Sequence, residues 1–501
     1  MSQTNLTYNV EDKPAWGKTF IFAFQQLLAI LAATIAVPAI IGHGMSPSAA
    51  LFGAGAGTLV YLLFTKFKSP VFLGSSFAFI GSMFAAFAGA VSVSAGYLGL
   101  IIGAFLAGLV YVVIAIVVKF VGTAWITKLM PAIVIGPTVA IIGLSLAGNA
   151  IGDLLSGSYY VPATATAIVA EADLAGYSLI ESIKLASGQY AITYNTTVVS
   201  TNIWVALACG LVTLFSTICV STYGKKTLKM IPFIIGIVSG YIVAAIFTGI
   251  GYAANNDALK VIDFTKFQNM EWLPKFTFIE AFKSFKDFTD AGEFFGYFGT
   301  LVVAFVPVAF VVFAEHIADH KNLGSIIGRD LLQDPGLHRT LLGDGVGSMA
   351  GAFFGGCPNT TYGESVGTVA ISGNASVRTI VVTAFLTMVL AFIAPFSTFL
   401  ATIPSCVMGG VCIALYGFIA VSGLKMIQNT DLGDNRNLFV VSVILIAGIG
   451  GLSLTIRKVT LTEVACALIL GILVNVVVNI ARKKKSDDSA TPSPEVVSED
   501  K

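Results

Sequence analysis

The chain has 501 residues, of which 56% are apolar and 11% are charged, and its formal net charge at pH 7 is +1. Soluble domains carry about 25% charged residues, so the composition excludes an ordinary soluble enzyme, and the small net charge gives no basic field to attract nucleic acid. Only α-helices and closed barrels satisfy their backbone hydrogen bonds in lipid. Because the apolar stretches are continuous rather than alternating, they predict an all-α polytopic membrane protein that contacts the lipid bilayer.

Apolar stretches of spanning length follow one another along the whole chain. Twelve of them lie at about 19–41, 49–65, 97–118, 130–151, 202–220, 231–251, 295–318, 341–356, 379–402, 405–424, 437–454 and 460–481. Two more, at about 71–92 and 357–373, are interrupted in their first halves by small and hydroxylic residues. Counted as broken helices, these two bring the predicted number of spans to fourteen.

The charges between the spans predict the orientation. If the N-terminal segment 1–18 lies in the cytoplasm, most Lys and Arg residues fall on the inner side, as the positive-inside rule requires. The tail 483–501 is charged and contains Ser and Pro, which predicts a disordered cytoplasmic segment. We therefore expect a cytoplasmic membrane protein with both termini inside. The outer loop 152–201 is rich in Ser, Thr and Ala, and its sequence assigns it no function.

The two broken stretches resemble each other. Ser75-Ser76-Phe77-Ala78-Phe79 and Thr360-Thr361-Tyr362-Gly363-Glu364 both contain two hydroxyl residues, an aromatic residue and a small residue before a helix. They are the third and tenth predicted spans, so an odd number of crossings separates them and the two halves have opposite topology. Matching interruptions in an inverted repeat are typical of the midplane binding site of secondary transporters. The alternative is chance similarity, since these residue types are common in membrane spans.

Three acidic residues, Glu315, Asp319 and Glu364, lie in or beside apolar spans. A carboxylate at the centre of a span costs about 2.5 kcal/mol or more on insertion, so such residues usually have a function. Glu364 is expected in the first turn of a half-helix, where free N–H groups and the helix dipole stabilise a negative charge. Glu315 and Asp319 are one turn apart and can share protons, which predicts proton coupling. The structural alternatives are a hydrogen-bonded buried Glu315, a helix-start charge at Glu364 and a cytoplasmic helix end at Asp319.

These acceptors and the backbone N–H donors of two half-helices suit a small planar molecule that carries alternating C=O and N–H groups. Aromatic residues at 77, 79, 362 and 416 are suited to stack on such a ring. A metal site formed by Glu315, His316, Asp319 and His320 is a weaker alternative, because only residues four apart share a helix face. No further ligand source is evident in the sequence, so no metal and no cofactor are predicted.

Several motifs make the sequence similar to a known family. Pro358-Asn359-Thr360-Thr361-Tyr362-Gly363-Glu364, with Gly367 following, resembles the signature of the nucleobase–ascorbate transporter (nucleobase–cation symporter) family. The resemblance covers about residues 14–482 and is closest to the family's bacterial uracil permeases. Further matching motifs are Gly74-Ser75-Ser76-Phe77-Ala78-Phe79-Ile80, Phe313-Ala314-Glu315-His316, Asp330-Leu331-Leu332, Asp334-Pro335-Gly336-Leu337-His338, Met408-Gly409-Gly410 and Leu415-Tyr416-Gly417.

The resemblance implies fourteen transmembrane segments in a 7+7 inverted repeat, with two short antiparallel strands at broken spans 3 and 10. It divides the chain into two interleaved domains. The core domain comprises 19–125 (spans 1–4) and 294–402 (spans 8–11), and the gate domain comprises 126–293 (spans 5–7 with the outer loops) and 403–482 (spans 12–14).

By matching position, the resemblance assigns substrate hydrogen bonds to Glu315 and Glu364 and to backbone groups at Phe77 and Gly363. It places Ala33, Tyr362 and Tyr416 around the substrate ring. The chain departs from the family pattern at Ser365, where the family has Asn, and at Ser372-Gly373, where it has Thr-Arg.

The predicted function is import of uracil, coupled to protons and achieved by alternating access between core and gate. A purine or xanthine–proton symporter of the same fold is the alternative. A sulfate-type anion exchanger is disfavoured because acids at the site would repel an anion. An enzyme is disfavoured because no H-E-x-x-H or G-x-S-x-G motif has a suitable context. The sequence leaves the oligomeric state open, with a homodimer as one alternative.

Overall fold

The structure is a computed structural model, and it describes residues 6–122, 125, 130–169, 178–185, 187, 189–225, 228–268, 270–288, 291–428, 430–456 and 459–488. Most of these residues are helical. By length and apolar composition, eight of the described helices can cross a membrane, or nine if one bent pair counts as a single span. The chain is therefore a mostly helical membrane protein, while the count of fourteen spans in a 7+7 repeat stays a prediction.

The first half of the chain contains eight helices and four strands within the described residues. In chain order they are α1 (Trp16–Ile41), α2 (Pro47–Phe64), β1 (Leu73–Ser75), α3 (Ile80–Ala88), α4 (Val93–Val121), α5 (Ala132–Ser145), α6 (Ala147–Leu154), β2 (Tyr160–Val169), β3 (Leu179–Lys184), β4 (Tyr190–Val199), α7 (Ile203–Tyr223) and α8 (Pro232–Ala253). A 3-10 turn, Phe77–Phe79, leads directly into α3.

The second half continues with helices and three short strands. They are α9 (Thr277–Lys283), α10 (Ala291–Ile327), α11 (Leu337–Gly355), β5 (Asn359–Thr361), α12 (Gly363–Ser372), α13 (Val377–Leu390), α14 (Ala394–Thr402), α15 (Ser405–Met426), α16 (Asn435–Ile449), β6 (Leu454–Ile456), β7 (Val459–Leu461) and α17 (Glu463–Asp488).

The all-α prediction is wrong for the loop 152–201. Strands β2, β4 and β3 form a three-stranded antiparallel sheet in that order. In β2, Ala and Thr alternate between Ala163 and Ala167, and a period of two with a β-branched residue at every second position favours a strand. The loop therefore contains a small antiparallel sheet and is not an irregular connection.

One predicted span and the predicted tail also differ from the described helices. The stretch 379–402 forms α13 and α14, which meet at an angle of 82°. Pro395 lies in the first turn of α14, where proline is tolerated because its missing N–H needs no intrahelical partner. The predicted disordered tail 483–501 begins as part of α17, which continues to Asp488, and its remaining residues lie outside the described part of the chain.

The expected pair of short strands is present. β1 pairs antiparallel with β5, with Leu73 opposite Thr361 and Ser75 opposite Asn359. Gly74 lies against the Tyr362 ring so closely that a Cβ atom at this position would collide with it. The strands therefore bring together two segments that are almost 300 residues apart in the sequence.

Glycines allow the central helices to approach closely. Helix α2 packs along α11, and an ideal Cβ at Gly53 would lie 2.5 Å from the Gly351 carbonyl oxygen. Helix α5 packs on α15 in the same way, since a Cβ at Gly136 would lie 2.7 Å from the Gly423 carbonyl oxygen. Small residues at helix contacts are typical of membrane proteins, where close van der Waals packing replaces the hydrophobic effect. The division into core and gate domains stays a prediction.

The chain segment before α1 is held on the rest of the molecule. The amides of Thr7 and Tyr8 donate to the Gly373 carbonyl at 2.7 and 3.1 Å, and the Val377 amide donates to the Val10 carbonyl at 3.1 Å. Arg329 forms a bidentate ion pair with Glu11. The N-terminal segment therefore connects the end of α12 with the loop that follows α10.

Candidate functional site

The site begins where the two short strands turn into helices. Ser76 donates its amide to the Pro358 carbonyl at 2.9 Å, and Tyr362 donates its amide to the Phe72 carbonyl at 3.2 Å. The crossed strands thereby place the 3-10 turn before α3 beside the first turn of α12. Since the first N–H groups of a helix have no intrahelical partner, two sets of donors are available at the same place.

A cavity of about 360 Å³ lies beside these helix starts. Glu315 and Asp319 reach it from one face of α10, and Glu364 reaches it from the first turn of α12. Residues one turn apart share a helix face, so the sequence spacing accounts for the first pair. Helix α10 extends well beyond the predicted span 295–318, and Asp319 therefore lies inside the helix rather than at its end.

One hydrogen bond in the cavity connects β5 with α10. The Thr361 hydroxyl donates to the Asp319 carboxyl at 2.7 Å. Both residues line the cavity, so the last residue of β5 orients an acid of α10. The hydrogen bond gives the Asp319 carboxyl group a fixed direction.

The structure brings most of the predicted site residues together. Six of them line the cavity, namely Phe77, Glu315, Asp319, Tyr362, Gly363 and Glu364. The Tyr362 hydroxyl donates to the Ser75 carbonyl at 2.8 Å, which fixes the orientation of its ring.

Ala33 and Tyr416 do not line the cavity. Ala33 is fully buried in α1, and Ala29, one turn earlier, lines the cavity instead. Tyr416 packs against Phe77, with ring centroids 5.8 Å apart and the rings nearly perpendicular. Tyr416 therefore supports a cavity-lining ring and does not itself face the cavity.

Sequence reasoning did not assign several residues that line the cavity. Ser76 and Thr360 belong to the repeated motif, and their hydroxyl oxygens are buried with no hydrogen-bond partner among the described residues. The opposite wall is mostly apolar, and residues of this kind carry no sequence signal that separates them from ordinary helix packing. These opposite-wall residues are Val139, Ile142, Phe233, Leu415, Phe418, Ile419 and Met426.

Ser365, a departure from the family pattern, has a clear structural role. Its hydroxyl oxygen accepts hydrogen bonds from the Gln26 side chain at 2.5 Å and from the Phe72 amide at 3.0 Å. The residue after Glu364 therefore connects α12 with α1 and with the segment that precedes β1. Because the Gln26 side chain is long, it can form this hydrogen bond although the Ser365 side chain is short.

The charges of the cavity are mostly acidic. Three carboxyl groups line it, and Lys229 is the one basic residue among the described lining residues. Such a cavity suits hydrogen-bond donors and repels anions. Within the described residues, no group of three or more His, Cys, Asp and Glu side chains is arranged to hold a metal ion.

Comparison with known proteins identifies the family of the chain. A sequence model described as the Permease family matches residues 17–184 and 182–456. The chain is 35% identical to the uracil permease of Bacillus caldolyticus, over 94% of this chain and 94% of that protein. It is 34% identical to the uracil permease of Bacillus subtilis, over 98% and 99%, and 30% identical to that of Escherichia coli K12, over 94% and 93%.

Solved structures share the fold at low sequence identity. The transmembrane domain of the cyanobacterium bicarbonate transporter BicA superposes with a TM-score of 0.58 at 15% identity, covering 92% of this chain and 97% of that chain. Murine Slc26a9, an anion transporter in the inward-facing state, gives a TM-score of 0.58 at 13% identity, covering 94% of this chain and 69% of that chain. These similarities identify a membrane-transporter fold.

Proposed function

Because the chain belongs to the Permease family, which is the nucleobase–ascorbate transporter family, we propose that it transports uracil across the cytoplasmic membrane. One observation carries the proposal: Glu315, Glu364 and two helix starts line the same cavity. Ring N–H groups and carbonyl groups alternate around uracil. The two carboxyl groups can accept from the N–H groups, and the free backbone N–H groups at Phe77 and Gly363 can donate to the carbonyls.

The transported molecule is proposed to be uracil rather than a larger nucleobase. Relatives that are 30–35% identical over nearly their whole length are uracil permeases. The Phe77 ring supplies an apolar surface beside the donors and acceptors, and Tyr416 holds that ring in place. A xanthine carrier of the same fold is the competing proposal, and competition between the two nucleobases separates them.

Protons are the proposed coupling ion. Glu315 and Asp319 lie one turn apart in the same cavity, and Thr361 gives Asp319 a hydrogen bond. Like charges at this distance disfavour full ionisation of the pair, so a proton that enters the cavity reduces the repulsion. Binding of one proton and of one substrate molecule can then support each other.

Alternating access is the proposed transport cycle. The cavity reaches the turn at Lys229 and Met230, between α7 and α8, and Met426 at the end of α15. In the proposed orientation, with both termini in the cytoplasm, these positions would lie at the inner surface and the cavity would open inward. Movement of the core helices relative to the gate helices would then open the cavity to the outside.

Uptake of labelled uracil into proteoliposomes tests the proposed function. The purified protein should accumulate uracil when an inward proton gradient is imposed and should only equilibrate uracil without one. Unlabelled uracil should compete more strongly than xanthine. Equal accumulation with and without the gradient would exclude proton coupling, and stronger competition by xanthine would assign the protein to purine transport.

A further inference from the structure

Helix α10 carries a second pair of polar residues, which does not face the cavity. His316 and His320 follow Glu315 and Asp319 directly in the sequence, and both are buried. Successive residues of an α-helix are rotated by about 100°. When the two acids face the cavity, the two histidines therefore face neighbouring helices, where their rings stack with centroids 4.0 Å apart.

His316 is bound by two residues of α11. Its Nδ1 lies 2.7 Å from an Asp344 carboxyl oxygen, and its Nε2 lies 3.0 Å from the Thr340 hydroxyl oxygen. The Thr340 hydroxyl donates to the Leu337 carbonyl, so its oxygen accepts from Nε2–H of His316. The Nδ1 atom and the Asp344 carboxyl then share one proton between them.

His320 is bound in a different direction. Its Nδ1 lies 2.8 Å from the His316 carbonyl oxygen, and because a carbonyl only accepts, Nδ1 carries the hydrogen. Its Nε2 lies 2.6 Å from the Tyr61 hydroxyl oxygen of α2. The two histidines connect α10 with α2 and α11, away from the face of α10 that lines the cavity.

These contacts are isolated from water. The exposed fraction of His316 and of Asp344 is 0%, so no solvent molecule at the surface can replace a lost partner. Separating a buried hydrogen-bonded pair leaves polar groups without partners, which is strongly unfavourable. A rotation of α10 about its axis would separate the pair and would also turn Glu315 and Asp319 away from the cavity.

We infer that His316 and Asp344 are positioning residues, and that their contact sets the rotation of α10 so that Glu315 and Asp319 face the cavity. The inference concerns the same cavity as the proposed function, but it depends on that function only for the identity of the ligand. Ala318 lies on α10 and lines the cavity, so its accessibility reports the rotation of the helix directly.

Cysteine labelling measures this rotation without any substrate. The six native cysteines are replaced, and a single cysteine is introduced as Ala318→Cys on α10 or, as the matched control, as Ser422→Cys on α15, which lines the cavity from the opposite side. A membrane-impermeant maleimide is applied from the cytoplasmic side. In the Asp344→Leu background, labelling at 318 should fall about tenfold, the change that corresponds to 1.4 kcal/mol, while labelling at 422 is unchanged.

Two further variants distinguish a loss of helix positioning from a general loss of folding. Asp344→Asn keeps a hydrogen-bonding partner, since its amide N–H can donate to Nδ1 of a ring that carries its hydrogen on Nε2, and it should label like the parent protein. If Asp344→Leu does not fold, the double variant His316→Phe with Asp344→Leu removes the contact without leaving either polar partner buried alone, and it should reduce labelling at 318 alone. Unchanged labelling at 318 in a folded variant, or an equal loss at 318 and 422, would overturn the inference.

Uracil binding provides the second readout. The dissociation constant of purified Asp344→Leu for uracil should rise about tenfold or more, because displaced acids lose their hydrogen bonds to the ligand. Parent protein that does not bind uracil would contradict the proposed function, whereas the labelling ratio would still test the positioning role.

Discussion

Glu315 is the residue whose substitution tests proton coupling most directly. Glu315→Gln keeps the size of the side chain and removes the carboxyl group, so the residue can no longer take up and release a proton. We expect gradient-driven uracil accumulation to fall at least about tenfold, the effect of losing 1.4 kcal/mol, when measured as uptake into proteoliposomes.

The control for this substitution is Glu280→Gln, which removes a carboxyl group that pairs with Lys283 away from the cavity. It should accumulate uracil like the parent protein. Accumulation by Glu315→Gln at the parent level would show that the proton is carried elsewhere.

The Glu11–Arg329 ion pair has a predictable pH dependence. The hydrogen bonds from Arg329 hold the pKa of the Glu11 carboxyl below its ordinary value, and the same contact raises the pKa of Arg329. A lowered folded-state pKa means that the stabilisation is present above the ordinary glutamate pKa of about 4.3 and is lost as the pH falls through the folded-state value. Both side chains are partly exposed, so the contribution is about 0.2–1 kcal/mol.

We therefore expect Glu11→Gln to lower the thermal midpoint of unfolding slightly at pH 7, and we expect this difference from the parent protein to shrink as the pH falls below the ordinary glutamate pKa. Thermal unfolding of the purified protein over this range provides the measurement. A difference from the parent protein that persisted at acid pH would show that the carboxyl charge is not responsible.

Most of the chemistry-bearing residues of the cavity could be predicted, and the reason is physical. Glu315, Asp319 and Glu364 are conspicuous because acids are costly in lipid. Ala33 is assigned by resemblance alone, and a one-turn difference in α1 puts Ala29 at the cavity instead. The contact between His316 and Asp344 joins two helices, and spacing within one helix cannot predict it.

The pairing of β1 with β5 depends on the close approach of Gly74 to the Tyr362 ring. A Cβ atom there would collide with the Tyr362 ring, so Gly74→Ala should separate β1 from β5 and move both helix starts. We expect lower thermal stability and weaker uracil binding, measured on the purified protein by unfolding and by equilibrium binding.

Gly81→Ala is the matched control, since its Cβ would meet only the Thr462 side chain at an ordinary 3.6 Å and alanine favours a helix over glycine. It should be as stable as the parent protein or more stable. Equal effects of the two substitutions would show that the strand pair does not depend on the glycine.

The three-stranded sheet is expected to be dispensable for transport. None of its residues lines the cavity, and the Ser200 amide donates to the Tyr159 carbonyl at 3.0 Å, so the ends of the sheet segment are close together. Replacement of 160–199 by a short Gly-Ser linker should leave proteoliposome uptake of uracil within about twofold of the parent, because a flexible loop that joins close ends costs little. A larger loss would indicate that the sheet acts in substrate access.

The elements were predictable to different degrees. Long apolar helices and the two interrupted spans follow from hydropathy and from the repeated motif. The overall composition of the loop 152–201 does not indicate a sheet, although Ala and Thr alternate at 163–167. Hydropathy does not indicate the bend before Ala394, because apolar residues continue across it. Hydropathy reports burial in lipid and says little about a change of direction.

At the scale of the whole molecule, the fold alone does not identify the substrate. The bicarbonate transporter and the anion transporter that share this fold are 13–15% identical to the chain, and a shared fold supports different functions through different site residues. Here the cavity holds Glu315, Asp319 and Glu364, which are unsuited to an anion. The acids therefore distinguish the proposed ligand from those of the structural relatives.

The attachment of the N-terminal segment has a consequence for biosynthesis. Ser376 donates a hydrogen bond to the Asp12 carbonyl across 364 residues of sequence, and Val377 does the same for Val10. At a translation rate of about 5–20 residues per second, the first residues wait roughly 20–70 s before their docking surface leaves the ribosome. Until then this segment cannot dock, so its attachment to the loop before α13 follows the synthesis of all helices from α1 to α12.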